Sequence, residues 1–202
     1  MVIYLIRHAE SSENAQAISY SGSSDPTLSE LGQQEAKKLA EYFSNEYPYL
    51  ILSSEKTRAF ATARYLADKF SKQVQKTPLL NEIDFGIFEG LTAGQVKEKF
   101  PEEYAMRLRD KLNYRIPEGE NYLDVYARQK KLIRKLNHQE NFNKTIFLFS
   151  HAGYIKVFIA CVLGDLSIIE RNDFIGNCAV TKITLDEDSG KPCPIFVNKN
   201  FI

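Results

Sequence analysis

Three uninterrupted apolar runs constrain the fold of this chain more than any other feature of its sequence. They are VIYLI (2–6), YLILS (49–53) and TIFLFS (145–150). A strand with one solvated face alternates apolar and polar residues, whereas a strand covered on both faces is apolar throughout. The runs therefore predict buried strands of a mainly parallel sheet. Amphipathic helical patterns lie between them, so we expect an α/β fold, a three-layer sandwich with helices on both faces.

Helix starts and the last strands can also be predicted from local patterns. Residue pairs that form or resemble a capping box are Thr27 with Glu30, Thr92 with Gln95, and Asn121 with Asp124. Apolar residues at helical spacing after Thr27 are Leu31, Ala36, Leu39, Ala40 and Phe43. The same spacing recurs after the second apolar run at Ala59, Ala63, Leu66 and Phe70. VTKITL (180–185) is predicted as a strand, and CPIFVNKNFI (193–202) as a final edge strand.

Composition and charge restrict the possible partners. No repeat or linker interrupts the chain, so we expect a single domain over residues 1–202. Lys plus Arg equals Asp plus Glu at 26 each, which argues against nucleic acid or an anionic membrane as a partner. No run approaches the roughly 20 apolar residues of a membrane span, and the first run is too short for a signal peptide. The sequence carries no signal for an oligomeric state.

The cysteines and histidines bear on compartment and cofactors. The chain has three of each, and the cysteines show no C-x-x-C spacing. An odd number of such cysteines is typical of a reducing cytoplasm, where we expect this protein. Because no metal-ligand pattern can be assembled from these residues, the sequence predicts neither a metal nor another cofactor.

Polar residues follow each of the three apolar runs. The first run leads into Arg7 and His8, and the third into Ser150 and His151, while Arg58 lies about one helical turn beyond the second. In open α/β sheets, ligands bind outside the carboxyl ends of the strands. We therefore expect two histidines and two arginines, far apart in sequence, to converge on one site.

That set of side chains suits phosphoryl transfer. Two guanidinium groups and nearby helix N-termini can hold a phosphate dianion. A neutral imidazole can attack phosphorus to form a covalent intermediate, and a protonated one can hold an oxygen as charge builds there. A departing alkoxide needs a proton. The candidate acids lie in LLNEIDFGIFEGL (79–91) and are Glu82, Asp84 and Glu89.

The stretch RHAESSEN (7–14) resembles the Arg-His-Gly-Glu-[Thr/Ser]-x-x-Asn signature of the histidine phosphatase superfamily, the phosphoglycerate mutase-like proteins. Further segments match the family in order along nearly the whole chain. They are D-P-T-L-S-E-L-G-x-Q (25–34), S-S-E-K-T-R-A (53–59), L-N-E-x-x-F-G-x-x-E-G (80–90), P-E-G-E-N-x-x-D-V (117–125), S-H-A-G-Y-I (150–155) and N-C-A-V-T (177–181).

The resemblance implies a phosphoglycerate mutase-like fold and a role for each matching residue. His8 is implied as the phosphorylated nucleophile, and Glu82 as the general acid and then the base for water. The residues implied at the phosphoryl group are Arg7, Arg58 and His151, with Asn14 assisting and Ala152 beside His151.

Two departures from the family pattern and one segment need the structure to interpret them. Ala9 and Ala152 replace the usual glycines, which matters only if those backbones need positive φ or a very close approach. The segment 91–120 is rich in aromatic and basic residues. It fits either a lid that selects the substrate or a pair of amphipathic helices with ordinary charged faces, and the sequence leaves both open.

The sequence thus predicts a metal-independent phosphomonoesterase that acts on a small phosphate ester through phosphohistidine. One alternative is a cofactor-dependent phosphoglycerate mutase, and another is a phospho-ligand binding module without turnover. Resemblance to the mutases would imply a longer chain with a closing C-terminal tail. The chain of 202 residues instead ends in DEDSGKP (186–192) and the strand-like CPIFVNKNFI. We therefore expect net hydrolysis.

Overall fold

The computed structural model describes residues 1–138, 141, 143–171, 174–186 and 191–202. Within them, six strands form one sheet in the order β3-β2-β4-β1-β5-β6. The strands are β1 (Val2–Arg7), β2 (Leu50–Ser53), β3 (Val74–Lys76), β4 (Thr145–Ser150), β5 (Val180–Leu185) and β6 (Pro192–Lys199). Neighbours among β1 to β4 are parallel, whereas β5 is antiparallel to β1 and β6 is antiparallel to β5. The predicted mainly parallel sheet and its edge strand β6 are confirmed.

Helices cover both faces of this sheet. They are α1 (Ser12–Ala15), α2 (Glu30–Tyr42), α3 (Thr57–Lys69), α4 (Ala93–Lys99), α5 (Pro101–Arg109), α6 (Tyr122–Leu136), α7 (Ala152–Leu163) and α8 (Ser167–Glu170). Ile3 and Leu5 of β1 join one core cluster with α6 and α7, whereas Tyr4 and Ile6 join a second cluster with α2 and α3. Because alternate residues of a strand point to opposite faces, both faces are buried. The three-layer α/β fold predicted from the apolar runs is therefore confirmed.

The register of the central strands positions the polar residues that follow them. β1 and β4 pair in parallel with Arg7 opposite Ser150. The next residue of each strand end is a histidine, so His8 and His151 leave the sheet at the same level. The backbone N–H of His8 still donates to the carbonyl of Ser150 (3.0 Å), which continues the ladder by one residue.

Two of the three predicted capping boxes are confirmed, at Thr92 for α4 and at Asn121 for α6. The prediction at Thr27 is wrong, because α2 begins at Glu30 and its N-cap is Ser29, whose hydroxyl accepts the N–H of Gly32 (3.0 Å). Leu31 was expected on the buried face and is 51% exposed instead. Its place towards the core is taken by Gly32, which packs against the backbone of Glu10.

Residues 187–190 of the DEDSGKP connection lie outside the described residues. Along the part of the chain that is described, no helix is long and apolar enough to cross a membrane.

Candidate active site

The carboxyl ends of β1 and β4 bring two imidazole rings into contact. The ring centroids of His8 and His151 are 5.1 Å apart, with the ring planes at 61°. Arg58 reaches the same point from the first turn of α3, and its Nε donates to Nε2 of His8 (3.3 Å). The predicted convergence of these residues is therefore present, although they are up to 143 positions apart in sequence.

The hydrogen bonds of His8 fix where its proton lies. Nδ1 is 2.7 Å from the carbonyl oxygen of Ala9, which can only accept, so Nδ1 carries the proton. Nε2 then holds the lone pair that accepts from Arg58. Burial, together with the charges of Arg58 and Arg7, holds the pKa of His8 well below its usual range. His8 is thus a neutral imidazole whose unprotonated Nε2 can act as a nucleophile.

Both arginines at the site are buried. Arg7 ends β1, and its Nη1 donates to the carbonyl of Ile175 (2.6 Å), while its Nε has no hydrogen-bond partner among the described residues. Arg58 donates from Nη1 to Ser24 (2.9 Å) and from Nη2 to Ser21 (2.8 Å), both at carbonyl oxygens. Burial lowers the pKa of Arg7 to about 10, so its guanidinium stays charged at neutral pH.

His151 is held by a hydroxyl group from the end of β2. Its Nε2 is 2.8 Å from Oγ of Ser54, whereas its Nδ1 is buried and has no partner within the described part of the chain. Burial, followed by the charges of Arg58, His8 and Arg7, holds the pKa of His151 well below its usual range. The neighbouring Ser150 donates to the carbonyl of Leu80 (2.7 Å).

A cavity of about 790 Å³ opens next to His8. Of the residues predicted for the site, those that line it are Arg7, His8, Asn14, Glu82 and Ala152. Arg58 and His151 are each 1% exposed and contact the ring of His8 at the edge of this cavity, although neither is among the residues that line it. Of the charged or catalytic groups predicted for the site, the cavity wall therefore presents the imidazole of His8, the guanidinium of Arg7 and the carboxylate of Glu82.

Glu82 is the one of the three candidate acids that lines this cavity. Its Oε2 accepts the N–H of Gly153 and its Oε1 that of Tyr154, both at 2.9 Å, at the start of α7. Asp84 instead accepts the N–H of Gly86, and Glu89 holds the N–H groups of residues 22, 23 and 85. The structure thus distinguishes three acids that the sequence alone could not distinguish.

Asn14 and Asn177 connect the first signature motif to the segment that precedes β5. Oδ1 of Asn14 accepts from the N–H of Ser11 (3.3 Å) and from Nδ2 of Asn177 (3.2 Å), which also donates to the carbonyl of His8 (3.2 Å). Asn177 lines the cavity, a placement that we did not predict. It lies in the matched N-C-A-V-T segment, but nothing in its residue type distinguished it from a capping asparagine.

The two alanines that replace family glycines cause no backbone strain. Neither Ala9 nor Ala152 has a positive φ. Ala9 is fully buried, and its N–H donates to Oγ1 of Thr62 (3.0 Å). The added methyl groups are therefore accommodated.

The segment 91–120 contributes a wall of the cavity as well as two helices. Its lining residues are Ala93, Tyr104, Arg107, Leu108 and Lys111. Arg107 is 5% exposed and lies over the rings of Phe85 (5.7 Å) and Tyr122 (5.0 Å). Its Nη1 is buried without a hydrogen-bond partner among the described residues. Nothing in the sequence distinguishes Arg107 from the other basic residues of this segment.

The described residues contain no group of three or more His, Cys, Asp and Glu side chains that could hold a metal ion.

The fold and this site are those of a phosphoglycerate mutase-like α/β protein. A family model of the histidine phosphatase superfamily (branch 1) matches residues 3–192, and the chain belongs to this superfamily. A 6-phosphofructo-2-kinase/fructose-2,6-bisphosphatase of Caenorhabditis elegans is 37% identical over 203 residues, which is 94% of this chain and 42% of the relative. The chain thus spans less than half the length of that relative.

Other relatives match over most of both chains. Phosphoserine phosphatase 1 of Hydrogenobacter thermophilus is 33% identical over 166 residues, covering 82% of this chain and 78% of the relative. The native structure of a mycobacterial glucosyl-3-phosphoglycerate phosphatase superposes with a TM-score of 0.84 at 26% identity, covering 98% of this chain and 99% of the other. The relatives of this chain therefore include phosphatases.

Proposed function

We propose that this chain is a metal-independent phosphatase that hydrolyses a small phosphate monoester through a phosphohistidine at His8. The observation that carries the proposal is the tautomer of His8, whose Nδ1–H is fixed by the carbonyl of Ala9 and whose Nε2 lone pair lies beside a guanidinium group. A nucleophile needs that lone pair, and the burial that keeps the imidazole neutral keeps it available.

The reaction has two steps in this proposal. Nε2 of His8 attacks phosphorus, the P–O bond to the alcohol breaks, and Glu82 gives the leaving oxygen its proton. Glu82, now a carboxylate, takes a proton from water, and the water oxygen displaces His8 from phosphorus to release inorganic phosphate. Arg7, Arg58 and His151 hold the non-bridging oxygens, with Asn14 assisting and the backbone at Ala152 bordering the phosphoryl site.

The surroundings of Arg107 are an argument that the substrate carries a second negative group. Its guanidinium is buried in the same cavity wall as His8, and one of its nitrogens lacks a partner. A buried donor without a partner costs free energy, which a ligand anion would recover. The volume of about 790 Å³ suits a sugar-sized molecule. The name of the Caenorhabditis elegans relative, which includes a fructose-2,6-bisphosphatase, also supports a substrate with two phosphates.

We also infer a reducing, cytoplasmic setting. Cys161, Cys178 and Cys193 are all free thiols. The partner in this proposal is a small-molecule phosphate ester, and not a nucleic acid or a membrane.

The test is to trap the intermediate. Enzyme quenched during turnover should carry acid-labile, base-stable phosphate on His8, and His8→Ala should lose both the label and hydrolysis of p-nitrophenyl phosphate. Chelators should leave the rate unchanged. Label on another residue, or a strict requirement for a divalent metal, would contradict the proposal.

The mutase alternative needs its own comparison on the same preparation. With 2,3-bisphosphoglycerate supplied, we expect release of inorganic phosphate to exceed interconversion of 2- and 3-phosphoglycerate. The reverse order of rates would favour a mutase.

A further inference from the structure

Ser54 joins His151 to a short chain of hydrogen bonds that leads away from the candidate active site. Its Oγ is 2.8 Å from Nε2 of His151 and 2.8 Å from Oδ1 of Asn81, and it also accepts the N–H of Lys56 (3.2 Å). Ser54 is fully buried. Its hydroxyl therefore has three polar neighbours and no access to water.

The direction of these bonds follows from Glu55. Its backbone N–H donates to Oδ1 of Asn81 (3.0 Å), and its carboxylate accepts from Nδ2 of Asn81 (3.1 Å). These contacts fix which end of the amide faces Ser54. An amide oxygen can only accept, so the hydroxyl of Ser54 donates to Asn81 and must accept from His151.

We infer that Ser54, oriented by Asn81, is a positioning residue that keeps the proton of neutral His151 on Nε2 and leaves Nδ1 as a bare lone pair. The two imidazoles of the site then have opposite tautomers, because His8 carries its proton on Nδ1. The inference rests on the proposed function in taking His151 as part of the phosphoryl site.

A consequence for anion binding follows. The nitrogen of His151 that is not engaged by Ser54 is Nδ1, and a lone pair there repels a phosphoryl oxygen. His151 can donate to the anion only after Nδ1 gains a proton, so binding of an anion is coupled to proton uptake. If neutral His151 could move its proton from Nε2 to Nδ1, it could donate to the anion without taking up another proton.

The groups around His151 set the conditions under which this coupling is visible. The groups that act on its charge are Arg58 at the start of α3, Lys56 just before that helix, His8, and Arg7 at the end of β1. The carboxylate of Glu82 accepts the N–H of Gly153, two residues after His151. The cations among these groups oppose a proton on free His151, and burial adds to this effect. A bound dianion reverses the balance, so we expect free His151 to be neutral and anion-bound His151 to be protonated near neutral pH.

The tautomer can be read directly from ¹⁵N chemical shifts of the imidazole nitrogens. Wild-type protein without ligand should show His151 protonated at Nε2 and His8 at Nδ1. In Ser54→Ala, the proton of His151 should no longer be confined to Nε2, and a signal for the Nδ1-protonated form should appear. The tautomer of His8 should be unchanged. Ser53→Ala is the matched control, because this neighbouring hydroxyl bonds the carbonyl of Ser54 and does not touch His151. A proton on Nδ1 of wild-type His151 would overturn the inference.

Binding of inorganic sulfate tests the coupling without turnover, because sulfate stays a dianion throughout. Between roughly pH 6.5 and 8, its dissociation constant for wild-type protein should rise about tenfold per pH unit. With Ser54→Ala, the rise over the same range should shrink to about twofold or less, and Ser53→Ala should behave as wild type. Because Glu82 is intact in all three proteins, proton uptake at that carboxylate would leave the slopes equal, and equal slopes would overturn the inference.

Asn81→Ala provides a second variant if Ser54→Ala fails to fold. It frees the hydroxyl of Ser54 to donate to Nε2, so the tautomer of His151 should change although the hydroxyl remains. An unchanged tautomer would contradict the role of Asn81. Both readouts are independent of catalysis, so failure of the proposed function would appear as absent phosphohistidine with the tautomers and the sulfate slopes intact.

Discussion

At the scale of single residues, the site depends on keeping an imidazole neutral beside two cations. His8 is 3% exposed, and Arg58 donates directly to its Nε2. The guanidinium charges of Arg58 and Arg7 also oppose protonation of His8. In the mechanism proposed above, the same arginines hold the phosphoryl group, so one set of side chains would serve both purposes.

The first prediction concerns Glu82. A poor leaving group needs a proton and a stable phenolate does not, and general acid catalysis contributes about 10²–10⁴-fold. In single-turnover measurements of the phosphorylation step, Glu82→Gln should slow alkyl phosphates by about this factor and p-nitrophenyl phosphate by less than about tenfold. Asp84→Asn is the matched control, since Asp84 bonds Gly86 and does not line the cavity. Equal losses on both substrates would remove Glu82 from the acid role.

The second prediction concerns Arg107. A charge-assisted hydrogen bond is worth about 1.5–3 kcal/mol, so Arg107→Met should raise KM for a sugar bisphosphate about 10- to 100-fold with kcat little changed. Methionine retains an apolar stem between Phe85 and Tyr122. Hydrolysis of p-nitrophenyl phosphate should be unaffected, and so should both substrates with Arg109→Met, which alters an exposed arginine of the same helix. An equal rise in KM for both substrates would point to a structural role.

At the scale of elements, the packing of α2 against the loop after β1 holds the signature motif in place. Gly32 in the first turn of α2 lies so close to Glu10 that an added Cβ would be 1.9 Å from its carbonyl oxygen. Ser29 and Glu35 of the same region bond the side chain and the backbone of Glu10. Glu10 is two residues from His8, so the position of this helix bears on the site.

The third prediction follows from that contact. Gly32→Ala should lower the free energy of unfolding by about 1–3 kcal/mol, because backbone must move to admit the methyl group. Gly94→Ala is the control inside another helix, where the nearest atom to an added Cβ is 3.9 Å away. It should raise stability by up to about 1 kcal/mol. Urea unfolding measures both, and a neutral Gly32→Ala would contradict the packing of α2.

At the scale of the whole molecule, two buried neutral histidines make stability depend on pH. The pKa of both His8 and His151 is lowered in the folded chain. Below about pH 6.5 the unfolded chain takes up a proton at each histidine and the folded chain does not. The unfolded state therefore binds more protons, and stability falls as the pH falls.

The fourth prediction gives this effect a size. The free energy of unfolding should drop by about 1.4 kcal/mol per histidine for each pH unit below about pH 6.5, until the folded pKa values are reached. The double variant His8→Gln with His151→Gln should lose this dependence between roughly pH 6.5 and 5.5, above the main titration of carboxylates. His138→Gln, at an exposed position, should keep it. Wild-type stability that is constant over this range would contradict the prediction. The measurement requires buffers without phosphate, because a bound anion stabilises the folded state.

The sequence by itself determined the sheet, the helices around it and the neighbourhood of the strand ends. Continuous apolar runs report burial on both faces, and the residues after them must meet at one edge of a parallel sheet. Local patterns were less decisive at helix ends. Thr27 and Ser29 are both good caps, and the position of Glu10 in space, not the local sequence, favours Ser29.

Only the tertiary structure decided which acid faces the cavity, which arginine of segment 91–120 is buried there, and where the protons of the two histidines lie. Glu82, Asp84 and Glu89 have the same chemistry in sequence and differ only in the N–H groups that each meets. Ser54 and His151 are 97 positions apart, and no local pattern relates them. Such contacts depend on distances between elements that the register of the whole sheet sets, so a single stretch of sequence cannot encode them.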